Sequence, residues 1–82
     1  MQEKKLLYPN LNAELARNNY SVRVLADYLG MTTQNLYSKL RGASLLNEKD
    51  MKGIQRFFLE TVGGAFSIDY LFSNEPISNG GN

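Results

Sequence analysis

The stretch 21–42, SVRVLADYLGMTTQNLYSKLRG, constrains this chain more than any other, because a small residue, a glycine and a leucine stand at set offsets between two short amphipathic runs. Ala26, Gly30 and Leu36 are four and six residues apart. Two helices that cross steeply after a tight turn need three things: a residue without bulk where they approach, one that tolerates positive φ in the turn, and an apolar plug from the second helix onto the first. Ala26, Gly30 and Leu36 meet these needs in that order, so the stretch reads as a helix-turn-helix.

Around it there is room for little else. The 82 residues, 43% of them apolar, make one small domain with a single modest core. With no cysteine and no histidine, the chain lacks a disulfide framework, a thiolate metal site, and the commonest metal ligand and general base. No catalytic residue, metal site, cofactor or small-molecule substrate is expected, and the chain does not read as an enzyme. The start MQEKKLLYP is charged, and no run of eighteen apolar residues follows anywhere. Neither a signal peptide nor a membrane span is therefore expected, and the location implied is the cytoplasm.

The net charge of +1 conceals an uneven distribution. Between residues 15 and 41 Arg17, Arg23, Lys39 and Arg41 face Asp27 alone, whereas residues 42–82 hold Lys49, Lys52 and Arg56 against Glu48, Asp50, Glu60, Asp69 and Glu75. The basic part coincides with the helix-turn-helix, as a phosphate-binding face would.

Helical periods run along the chain and no strand pattern interrupts them, which predicts an all-α bundle of about five short helices. Pro9 and Asn10 open the first, with Leu11 and Leu15 on one face, and the Asn18-Asn19 pair can end it in the left-handed conformation. Tyr20 anchors the following loop. Ser21 is a good N-cap for the second helix, where Val22, Leu25, Ala26 and Leu29 share a face and Arg23 and Asp27 are placed to pair outside. Thr32 caps the third.

On that third helix Leu36 and Leu40 point inward. With Leu36 at zero, Gln34, Ser38 and Arg41 fall at about 160°, 200° and 140°, on the outward face, with Tyr37 at its edge and Thr33 projecting from the first turn. An amide can bond adenine bidentately in the major groove, and hydroxyls suit either base type. Thr33, Gln34, Tyr37 and Ser38 are thus the candidate base-reading residues. Arg17, Arg23, Thr32, Lys39 and Arg41 are the candidate phosphate contacts.

Asn47, followed three residues later by Asp50, resembles a capping box for a fourth helix carrying Met51, Ile54 and Phe58 inward. Gly53 weakens that helix by about 1 kcal/mol against alanine, which points either to compensating packing or to another backbone passing close. Residues 61–66, with Gly63-Gly64, read as a loop or at most a short extended pair, and Ser67 caps a brief helix over 68–72. The division expected is an arm over 1–9, including Lys4 and Lys5, a domain over 10–72, and a disordered tail over 73–82.

Three features in order, Ala26/Gly30/Leu36, the YSKLRG ending at 37–42 and SIDYLF at 67–72, make residues 11–72 resemble the phage repressor family of lambda-type Cro and repressor N-terminal domains. The resemblance implies a lambda-repressor-like bundle, encoded by a phage or prophage and acting in a bacterial host. It would bind a double-stranded DNA operator, often as a homodimer on a palindrome, and repress transcription, with Thr33, Gln34 and Ser38 at the base-reading positions. The sequence departs from the family twice. Val22 stands where many members carry a phosphate-clamping Gln, and the link over 60–66 is longer than usual.

An alternative from another class keeps the bundle and uses its surface to hold a protein partner, as a phage antirepressor or inhibitor does; Val22 and the low net charge favour it. All four Phe lie in the C-terminal third. Phe57, 100° from Phe58, is expected to turn outward, and Phe57, Phe66, Ile68 and Phe72 form a candidate dimer interface. The competing expectation is that the loop folds back and buries Phe66 within the monomer.

Overall fold

Four of the five helices in the computed structural model, which describes residues 7–73, begin on a side-chain oxygen. They are α2 (Val22–Leu29), α3 (Thr33–Leu40), α4 (Glu48–Val62) and α5 (Ile68–Leu71), capped by Ser21, Thr32, Asn47 and Ser67 in extended backbone. At α4 the box is reciprocal, Asn47 Oδ1 accepting the Asp50 N–H at 2.8 Å while Asp50 accepts that of Asn47 at 3.4 Å. The remaining helix, α1 (Pro9–Arg17), has no side-chain cap and starts with proline, whose missing N–H needs none. Among the described residues no strand occurs and no helix is long and apolar enough to cross a membrane.

The helix ends follow from left-handed residues. Gly30, at φ 76°, lets its own N–H reach the Asp27 carbonyl and the Met31 N–H reach that of Ala26, and so ends α2 and turns the chain within three residues into α3. Asn19, at φ 61°, closes α1 in the same way. The fourth helix runs further than expected, through Thr61 and Val62, and stops at Gly63. Thr61 and Val62 are therefore helical; the loop begins only where a glycine can adopt φ 70°.

Leu11 and Leu15 of α1, Leu25 and Ala26 of α2, Leu36 and Leu40 of α3, Ile54, Phe57 and Phe58 of α4, and Leu71 of α5 form one core, closed below the α3–α4 loop by Leu46. α2 packs on α3 and α4, and α5 packs on α1 and α4. Phe57 corrects an expectation: it is 2% exposed. Its ring meets Tyr20, Tyr28 and Phe58 edge-on at 5.1, 5.2 and 5.4 Å. The cause is that α4 is covered on two sides, so a residue at the edge of the apolar stripe faces α2 rather than water.

Gly53 sets how near α2 lies. A Cβ there would come within 2.8 Å of Leu29 Cδ2, so the close neighbour is a side chain and not a backbone. Further along the same contact the Tyr28 hydroxyl donates to Glu60 Oε1 at 2.7 Å, and that hydrogen bond holds the phenol above its ordinary pKa. Phe66 is half-buried, edge-on to Phe58 at 5.5 Å, with its carbonyl accepting from Gln55 Nε2 at 2.9 Å. The loop thus folds back on its own molecule. Ile68 and Phe72 are also half-buried, Phe72 edge-on to Tyr8 at 5.4 Å.

The expected arm boundary falls inside the fold. Leu7 N–H donates to the Leu40 carbonyl at 2.9 Å, Tyr8 packs on the core, and Pro9 is the first residue of α1. Lys4 and Lys5, and residues 74–82 of the expected tail, lie outside the described residues.

Candidate nucleic-acid interface

Leu36 and Leu40, both almost wholly buried, fix the rotation of α3 about its axis, and this decides what the helix offers outward. Gln34, Asn35 and Tyr37 are exposed; Thr33, Ser38 and Arg41 are half-buried along its flanks. Thr32 Oγ1 accepts the Asn35 N–H at 3.0 Å, so this hydroxyl is engaged as a cap and keeps its proton and one lone pair for a further contact. The side chains of Gln34 and Asn35 have no hydrogen-bond partner among the described residues, and an amide left open in this way presents a donor and an acceptor side by side.

Asn35 joins the residues that the sequence pattern singles out on this helix. The wheel places it at about 260° with Leu36 at zero, on the far edge of the outward face, and that angle was the available signal. Thr33, by contrast, sits closer to the core side than a projection from the helix end implies.

The cations divide into two kinds. Arg17 Nη1 donates to Glu14 Oε2 at 2.8 Å, and Lys39 Nζ donates to Asp50 Oδ2 at 2.6 Å, so both have a counter-charge within the molecule. Lys39 is the clearer departure from expectation, because Asp50 belongs to the capping box of α4 and receives it at the base of α3. Arg23 and Arg41 have no ion pair among the described residues. Arg23 and Asp27 do not pair within 4 Å, although the spacing allows it.

At the start of α2, Ser21 Oγ accepts the Val24 N–H at 3.3 Å, and Val22 lies half-buried against the core. Val22 is thus a packing residue. What the helix end offers a ligand there is backbone N–H and the exposed Arg23.

Ala26 and Leu36 are fully buried between α2 and α3, and Gly30 is left-handed in the turn. Of the expected dimer residues, Phe57 is in the core, and Phe66, Ile68 and Phe72 are half-buried. Among the described residues, the exposed large apolar side chains of this end are Leu59 and Val62.

The chain matches no protein-family model, no curated protein and no solved structure. The class the fold defines is an all-α bundle, with five helices among the described residues.

Proposed function

We propose that the chain is a sequence-specific, double-stranded-DNA-binding transcriptional repressor of the phage Cro type, which lays the outward face of α3 in the major groove. The observation that carries this is the chemistry of that face. Gln34, Asn35, Tyr37 and Ser38 put uncharged hydrogen-bonding groups together, where an ordinary solvated helix carries Glu and Lys, and Arg41 at the end of α3 and Arg23 on α2 have no ion pair among the described residues. Uncharged amides and hydroxyls read base edges, whereas the arginines grip phosphates and carry no sequence information. Two copies would place two α3 helices about 34 Å apart, on successive major grooves of a palindrome.

A second reading, a protein-binding antirepressor or inhibitor, draws on the neutralisation of Arg17 and Lys39, which leaves the face with two uncompensated cations in place of four. Selection of duplexes from a random pool by the full chain separates the two. Enrichment of one palindromic site supports the repressor, and recovery of random sequence at background level removes DNA from the account.

A further inference from the structure

The outer face of α4 carries a second feature, distinct from α3. Lys49, Lys52 and Arg56 are all exposed and follow one another at intervals of three and four residues, so they form a ridge spanning about 10 Å of helix. An open groove lies on each side of it. One, of about 490 Å³, runs between the ridge and the 63–67 loop over Leu59, Ala65 and Phe66. The other, of about 500 Å³, runs between the ridge and α2 over Tyr28, Leu29 and Gly53. Leu59 is 54% exposed at the edge of the first, the most open large apolar side chain on any helix among the described residues.

We propose that this face docks an acidic segment of a protein partner, which seats an apolar side chain in the Leu59–Phe66 groove and sets carboxylates along the ridge. Charge complementarity selects the occupant. Lys49 and Arg56 have no ion pair among the described residues, and Lys52 has only a loose exposed pair with Glu48, at 3.3 Å. Arg56 can clamp a carboxylate with two parallel N–H groups. The anions at the two ends of the ridge, Glu48 and Glu60, decide against a nucleic acid. A continuous row of phosphates must run past one or both of them, whereas a short acidic segment fits between, and a sugar-phosphate backbone has nothing apolar to place on Leu59 and Phe66. Since the ridge is on α4 and the amide face on α3, the proposal stands whether or not the chain binds DNA.

The test is an NMR titration of the full chain, recording backbone amides, with three probes: an amphipathic peptide of about 14 residues built from Glu and Leu, the same peptide with every Glu replaced by Lys, and a random-sequence DNA duplex. The expected result is saturable shifts at Lys49, Lys52, Arg56, Leu59 and residues 65–67 with the Glu peptide, and none there with the other probes. Arg56→Glu and Leu59→Ser, both on exposed positions, should each weaken the Glu peptide about tenfold while leaving the spectrum of a folded chain. Equal binding of the Lys peptide, shifts confined to α2 and α3, no shift at millimolar peptide, or ridge shifts produced by the duplex would each overturn the proposal.

Discussion

Lys39 Nζ and Asp50 Oδ2 lie 2.6 Å apart, and the same carboxylate oxygen accepts the N–H of Asn47 at 3.4 Å. One side chain therefore starts α4 and ties down the last turn of α3. Both partners are largely covered, with side-chain exposures of 22% and 12%, so the pair is held more rigidly than a surface bridge. Asp50→Asn keeps an acceptor for the cap but removes the counter-charge. Urea unfolding should show a loss of about 1–2 kcal/mol. On DNA the released Lys39 should steepen the dependence of log affinity on log salt by about one unit per protomer.

Tyr70 ties α5 to α1. Its hydroxyl donates to Glu14 Oε2 at 2.7 Å, the oxygen that also receives Arg17, and Glu14 is only 3% exposed. Tyr70→Phe leaves this carboxylate one donor short and should lower stability by about 1–2 kcal/mol at neutral pH.

The same pair gives an alkaline signature. Burial foremost, then the hydrogen bond and charge of Glu14, raise the Tyr70 pKa above its ordinary value, against an opposing effect of Arg17. The folded chain thus retains a proton that the unfolded chain loses, so this contribution is complete below about pH 10 and is lost as pH climbs through the raised value. Urea midpoints measured at about pH 9 and about pH 11 should bring wild type and Tyr70→Phe closer together at the higher pH.

Gly53→Ala sets helix propensity against packing. Alanine gains about 1 kcal/mol in a helix interior, but its Cβ would meet Leu29 Cδ2, the movable end of a half-buried side chain. The two effects should nearly cancel. In a Leu29→Ala background the obstruction is gone, and Gly53→Ala should then stabilise by about 1 kcal/mol; a double-mutant cycle by thermal unfolding measures the coupling.

The all-α bundle and its helix order were legible in the sequence because their signals are local. Ser21, Gly30, Thr32, Asn47 and Ser67 act within a few residues of themselves, and the caps and turns form where these residues stand. Tertiary partners were not legible. Nothing local in Phe57 says that Tyr20 and Tyr28 close over it, and nothing in Lys39 says that Asp50, eleven residues on, takes its charge. Of the candidate site, the rotation of α3 followed from Leu36 and Leu40, so Gln34 was placed outward; the partition of the cations into paired and unpaired had to come from the folded chain.

Reading and gripping should separate by mutation. Gln34→Ala is expected to cost about 1–3 kcal/mol on the preferred duplex and to relax preference at one base pair, while Arg41→Ala weakens all duplexes alike. Asn35→Ala should behave like Gln34→Ala. Neither Gln34→Ala nor Asn35→Ala should shift thermal stability by more than about 0.5 kcal/mol, since each removes an exposed side chain away from the core.

The salt dependence of binding, followed by fluorescence anisotropy on the selected duplex and on a random one, tests the central claim most directly. With Arg23 and Arg41 from each of two protomers neutralising phosphates, about four counterions are released, and affinity should fall about a hundredfold between 50 and 200 mM salt. The selected duplex should remain the tighter of the two throughout. A flat salt response, or equal affinity for both duplexes, would contradict the assignment of α3 to DNA.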